Sequence, residues 1–222
     1  MASFFGILFF WTDAGHWVVK NIYCRGFFII LGQTPTVSGL EHLDFDRPYV
    51  FVANHESHMD TQSIYMNYPR YLHFMAKKEL KYVPVVGWVI SSLGMLFVDR
   101  SNSEKAKVSL QKAAEMIRSG KNIISFPEGT RSKDGEVGRF KKGLFTIAQQ
   151  AGVDVVPVAV VGAREVMASG SLKITPGPIH VSFGVPISIQ EYERDLDGLV
   201  QTARDSVLEM RAFWKPRIDK LR

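Results

Sequence analysis

Tyr49-Val50-Phe51-Val52-Ala53-Asn54-His55-Glu56-Ser57-His58-Met59-Asp60 opens on five apolar residues and closes on a run of polar ones. The first five are β-branched, aromatic or small, the composition of a short strand buried on both faces. Ser57-x-x-Asp60 is a capping-box pattern, so a helix is expected over about Ser57 to Asn67, stopped before Pro69. A buried strand running into a helix through a polar turn is where open α/β sheets place their sites.

Reading outward, the same alternation repeats. Tyr71–Ala76, Met95–Val98, Asn122–Phe126, Val155–Val161 and Ile179–Phe183 are expected strands. Between them, Ala106, Leu110, Ala113, Ala114 and Ile117 form a helical stripe. It follows a second capping box, Ser101-x-x-Glu104, and Gly120 stands where a C-cap belongs. Leu144–Ala151 is a further helix ending at Gly152, and Gln190 to about Arg211 another. The pattern implies an α/β fold: a mixed, partly parallel sheet flanked by helices.

The first 31 residues differ from the rest. They hold nine of the 26 aromatics but charges only at Asp13, Lys20 and Arg25. Asp13, His16 and Lys20 fall on one helical face, and aromatics opposite such a stripe suit a bilayer interface. No basic residue precedes the apolar run, which disfavours a secretory signal. Residues 1–34 are therefore read as an N-terminal helical membrane-anchoring segment and residues 35–222 as one α/β domain; packing of the first helix on the core is the competing expectation.

Composition narrows the classes. Of 222 residues, 46% are hydrophobic and 22% charged, and the net charge is +5, a globular composition. One cysteine, Cys24, excludes a disulfide framework. No stretch without Asp, Glu, Lys or Arg exceeds 17 residues, and three prolines break one of that length, Ile174–Gln190, so no ordinary membrane span is expected. Basic residues gather in Arg131–Lys142, five against two acids, and in Arg211–Arg222, five against one. These suit phosphates, an anionic membrane or an acidic carrier protein. No nucleic-acid-binding pattern accompanies them.

Two motifs carry chemistry. In Asn54-His55-x4-Asp60, His55 and Asp60 can meet only if the histidine sits on the turn and the aspartate in the first helical turn. Asp60 would then fix the tautomer and leave the other imidazole nitrogen as a base, while also serving as a cap. No second cluster of ligands supports a metal site at His55, His58 and Asp60. In Phe126-Pro127-Glu128-Gly129-Thr130-Arg131, a proline stops a strand, a glycine allows a tight turn and Arg131 offers a planar fork for phosphate or carboxylate. Gly94-x-x-Phe97-Val98-x-Arg100 and Lys77-Lys78 also follow strands.

In this order and spacing the blocks resemble the glycerolipid acyltransferase family, typified by enzymes that acylate 1-acylglycerol-3-phosphate. The matches are Asn54, His55 and Asp60; Gly94, Phe97, Val98 and Arg100; Phe126 through Arg131; Val156-Pro157-Val158; and Lys77 or Lys78, covering about residues 49–161. The resemblance implies transfer of a fatty acyl group from acyl-CoA or acyl carrier protein to a lysophospholipid hydroxyl. It implies His55 as base, Asp60 as its orienting partner, and Lys77, Arg100, Glu128, Gly129 and Arg131 at the acceptor, with no metal and no cofactor beyond the thioester. It also implies a monotopic protein on the cytoplasmic face of the cell membrane. A backbone N–H near Gly129 is the expected oxyanion donor. Val83–Val98 with Trp88 is a candidate acyl wall, with a buried core segment as the favoured reading. The rivals are a transacylase or an enzyme for another lysolipid, a lipid ester hydrolase using Ser57 or water, and a non-enzymatic membrane-binding protein. The hydrolase lacks a Gly-x-Ser-x-Gly elbow.

Overall fold

The computed structural model describes residues 12–99 and 103–222, with side chains at 14–99 and 108–222. Seven strands form one sheet: β1 Thr36–Ser38, β2 Val50–Ala53, β3 Leu72–Lys77, β4 Leu96–Val98, β5 Asn122–Ser125, β6 Val155–Val161 and β7 His180–Phe183. Their order is β1-β7-β6-β2-β5-β3-β4. All neighbours are parallel except β6 and β7. The mixed sheet expected from the alternation is therefore present.

β2 lies centrally and all four of its residues are buried. Phe51 and Ala53 pack into one core with Tyr68, Phe183 and Phe28; Val50 and Val52 pack into the other with Phe145, Ala203 and Val207. A strand apolar on both faces needs a layer of helices on each. One layer holds an N-terminal helical run and α3 (Met59–Asn67). The other holds α5 (Ser103–Arg118), α6 (Gly143–Ala151) and α8 (Leu196–Asp219). The helix α4 (Val86–Ser92) links β3 to β4, and the short α7 (Ala163–Val166) follows β6.

The N-terminal run comprises α1 (Thr12–Val18), a π-helical turn over Val19–Cys24 and α2 (Arg25–Ile30). Its orientation is inverted relative to an ordinary surface helix. His16, from the polar stripe, is buried, hydrogen-bonded to the Tyr65 hydroxyl and stacked on Tyr71 at 4.3 Å. The Lys20 ammonium donates to the Tyr68 carbonyl. Trp17, Ile22, Tyr23, Ile29 and Ile30 are exposed, while Cys24 and Phe28 anchor the run in the core. His16 and Lys20 of the polar stripe thus turn toward the protein, while several large apolar side chains of the same run face outward. No helix among the described residues is long and apolar enough to cross a membrane.

Three elements differ from expectation. β1 was not foreseen; at three residues it is too short to carry a period, and parallel pairing with β7 defines it. α4 occupies a stretch to which the sequence pattern assigns no element. α8 runs past Arg211 and through Pro216 to Asp219. Proline removes one helical hydrogen bond there, but Arg217 donates to the Phe213 carbonyl, and buried Ile218 packs against Gly162, fixing the last turn by tertiary contact. The capping box at Ser101 and Glu104 lies outside the described side chains.

Candidate active site

The chain leaves β2 at Ala53, and Asn54 settles the turn. Its side chain donates to the Val160 carbonyl at 2.9 Å and accepts from the Val160 N–H at 2.8 Å. A buried amide thus takes the place of a further pair of ladder bonds to β6. His55 follows on the turn, and Asp60 sits in the first turn of α3. Asp60 Oδ2 lies 2.9 Å from His55 Nδ1 and also accepts the backbone N–H groups of Glu56 at 2.7 Å and Ser57 at 2.8 Å. Ser57 Oγ in turn accepts the Met59 N–H. The orienting role and the capping role therefore coexist in one carboxylate, which is fully buried.

This geometry selects the tautomer of the neutral imidazole. With a carboxylate on Nδ1, the proton resides there and Nε2 is the lone-pair nitrogen. Nε2 has no hydrogen-bond partner among the described residues. The ring lies flat on Phe126, centroids 3.8 Å apart, and its side chain is 19% exposed. It is held on one edge and one face, and open on the other edge.

The second motif is tied to the first by backbone. Glu128 Oε1 accepts the His55 N–H at 2.8 Å, and Oε2 accepts the Gly138 N–H at 2.9 Å. The Ser132 N–H donates to the His55 carbonyl at 2.7 Å. Burial raises the Glu128 carboxyl above its ordinary range, opposed by these two N–H donors. Glu128 is thus a bracket between the loops. Arg131 lies on the same loop, and its Nη1 is buried without a hydrogen-bond partner. His58 is held below its ordinary pKa by burial first, then by the charges of Arg131 and His55.

The N–H of Gly129 itself closes a tight turn onto the Phe126 carbonyl at 3.0 Å. Gly129 serves another purpose. Its φ is +81°, and a Cβ there would stand 2.7 Å from Lys141 Nζ. The glycine lets the Lys141 ammonium lie over the loop. Lys141 was missed as an individual residue, although it belongs to the basic run 131–142. Of the candidate acyl wall Val83–Val98, Trp88 is 74% exposed. A cavity of about 200 Å³ is lined by Val98 together with Met75, Leu110, Phe126, Leu144 and Lys141. It shares Phe126 with His55. Lys77 ends β3 at the same end of the sheet, exposed and 3.6 Å from Glu79. Arg100 lies outside the described residues.

Beneath the turn, Glu56 accepts from Asn54 and pairs with Arg211 of α8. Burial nonetheless pushes its carboxyl up to about 7. Ser57 Oγ is fully buried and donates to the Met167 carbonyl at 2.6 Å, so it is not poised as a nucleophile. No group of three or more His, Cys, Asp or Glu able to hold a metal occurs among the described residues.

The α/β sheet agrees with the comparisons. The chain belongs to the acyltransferase family, whose model matches residues 34–161. It is 36% identical over 175 residues to a chloroplastic 1-acyl-sn-glycerol-3-phosphate acyltransferase of Brassica napus, covering 78% of this chain and 49% of that one. It is 32% identical over 197 residues to the 1-acyl-sn-glycerol-3-phosphate acyltransferase of Saccharomyces cerevisiae, covering 87% and 65%. The crystal structure of PlsC, the 1-acyl-sn-glycerophosphate (LPA) acyltransferase of Thermotoga maritima, superposes with a TM-score of 0.75 at 32% identity, covering 89% of this chain and 81% of that chain. The chain spans about half the length of the Brassica relative.

Proposed function

We propose that this protein transfers a fatty acyl group from an acyl thioester to the free hydroxyl of a lysophospholipid, converting 1-acylglycerol-3-phosphate to phosphatidic acid. The observation that carries the reading is the His55–Asp60 pair, with one imidazole nitrogen fixed by a buried carboxylate and the other open. The names of the relatives support the choice of acceptor.

His55 Nε2 takes the hydroxyl proton as the acceptor oxygen bonds to the thioester carbonyl carbon. Asp60 stabilises the imidazolium that forms. The C–S bond then breaks, and the thiolate leaves with the proton returned by His55. Positioned general-base chemistry of this kind contributes about 10²–10⁴-fold. Arg131, with its unpaired buried Nη1, takes the acceptor phosphate, with Lys77 and Arg100 as further cations. Glu128 acts through its grip on the His55 backbone. The acyl chain enters the cavity that shares Phe126 with His55. The donor is acyl-CoA or acyl carrier protein; the basic run over 131–142 suits either anion.

Residues 1–34 serve as a monotopic anchor for the acyltransferase domain, 35–222, on the cytoplasmic face of the cell membrane. The support is the inverted N-terminal run, whose exposed Trp17, Ile22, Tyr23, Ile29 and Ile30 match the aromatic and aliphatic face of an interfacial helix.

The test is thiol release from acyl-CoA and from acyl carrier protein, with and without lysophosphatidate, for wild type and His55→Ala. Acceptor-dependent release forming phosphatidate, lost in the variant, is expected. Acceptor-independent release would mean thioester hydrolysis, and full activity in His55→Ala would overturn the assigned base.

A further inference from the structure

Lys77-Lys78-Glu79-Leu80-Lys81-Tyr82-Val83-Pro84-Val85-Val86-Gly87-Trp88 interleaves three lysines and one acid with apolar residues. It folds as a 3-10 turn over Lys78–Tyr82 running into α4. Tyr82 is 72% exposed, Val85 62% and Trp88 74%, with Leu80, Val83 and Val86 exposed beside them. A contiguous apolar patch of this kind on a folded surface marks an interaction site.

The segment is built rather than loose. The Gly87 N–H bonds to the Val83 carbonyl at 2.8 Å, and a Cβ on Gly87 would stand 2.2 Å from the Lys81 carbonyl oxygen. α4 is therefore seated directly on the 3-10 turn. Val85 has φ +66° and ψ −56°, and the Val86 N–H bonds to the Pro84 carbonyl at 2.8 Å. This is a γ-turn in its strained form, centred on a β-branched residue. Among the described residues no other non-glycine has positive φ. Glycine would sit there unstrained, and burial does not offset the strain, because the Val85 side chain faces outward. The fold holds an apolar tip in place at a cost to its own stability.

The location points to the occupant. The segment begins where β3 ends, at the carboxyl end of the parallel strands, where β2 delivers His55. Tryptophan, tyrosine and valines with lysines around them match an anionic lipid interface, where rings sit at headgroup level and ammonium groups meet phosphates.

We propose that Lys77–Trp88 is a second membrane-docking platform, which inserts Tyr82, Val85 and Trp88 into a bilayer containing anionic phospholipid and seats the mouth of the site on it. This rests on the reading above that the acceptor is a membrane lysolipid.

The experiment measures co-sedimentation of the full chain with phosphatidylcholine vesicles, with and without phosphatidylglycerol. The variants are Tyr82→Ser/Trp88→Ser and, separately, Val85→Gly, with Leu172→Ser as an exposed apolar control elsewhere. Acyl transfer is measured in parallel to vesicle-borne lysophosphatidate and to a short-chain, monomeric one. The double variant is expected to lose vesicle affinity and vesicle-borne turnover by about tenfold or more, keeping monomeric turnover within about twofold. Val85→Gly should lose less, and Leu172→Ser nothing. Unchanged vesicle binding in the double variant overturns the proposal. So does equal loss on the monomeric acceptor, or a wild-type dimer that the double variant converts to monomer. Absence of transfer by the wild type would instead strike the proposed function, leaving vesicle binding to judge the platform.

Discussion

His55 and His180 are built alike and made different by their partners. Each ring stacks on an aromatic, Phe126 at 3.8 Å and Trp214 at 3.6 Å, and each Nδ1 meets an oxygen. At His55 that oxygen belongs to the Asp60 carboxylate, and Nε2 is open. At His180 it belongs to the Thr36 hydroxyl at 2.7 Å, and Nε2 is taken by Ser38 at 2.9 Å. His180 is also buried, 2% exposed, and burial drives its pKa down to about 4. A carboxylate stabilises an imidazolium; two hydroxyls in a dry pocket do not. One histidine is equipped to accept a proton, whereas the other cross-links β1 to β7.

The largest effect that could break this contrast is on turnover. His55→Ala and Asp60→Asn should each lower acceptor-dependent acyl transfer by about 10²–10⁴-fold. His180→Gln should leave it within about threefold. Comparable losses at both histidines would mean that the open nitrogen is not the working one.

A second effect is on stability. The folded-state pKa of His180 lies near 4, below the ordinary 6.5. The native state therefore holds fewer protons than the unfolded one between these values. The stability contributed by the neutral ring is complete above about pH 6.5 and is lost as pH falls toward about 4, a total of roughly 3 kcal/mol. Urea denaturation of wild type and His180→Gln across that window should show a shallower acid loss in the variant. Parallel curves would mean that the hydroxyl partners already accommodate the charged ring.

The difference between these histidines was only half legible in the sequence. The apolar run before Asn54 announces a buried strand, and the spacing of His55 to Asp60 admits their meeting only across a strand-to-helix turn. That local geometry was readable because both residues lie on one short segment. The partners of His180 come from β1, a three-residue strand that takes its identity from a neighbour 140 or so residues away. Glu56 finds Arg211 from the C-terminal helix, and Gly129 makes room for Lys141, both through tertiary packing rather than local pattern. The polar stripe of the N-terminal run was legible, yet nothing in periodicity says which face turns inward. Trp88 poses the same problem: an apolar residue reads as buried, and no pattern in the sequence shows that it is exposed.

The smallest effect concerns the rings beneath the two histidines. Phe126 lies nearly parallel to His55, 12° between planes, and also lines the neighbouring cavity. Its π-face fixes the imidazole plane and favours the positive ring that forms during turnover. Phe126→Leu keeps the apolar volume but removes that face, so kcat should fall by about three- to tenfold, in line with roughly 1 kcal/mol per aromatic pair. Trp214→Leu removes the corresponding ring from His180 and should leave kcat alone while lowering the thermal midpoint by a few degrees, about 2–4 °C per kcal/mol for a chain of this size. If Phe126→Leu changed KM and left kcat intact, the ring would serve the cavity rather than the base. The parallel between the two stacked histidines would then end at geometry.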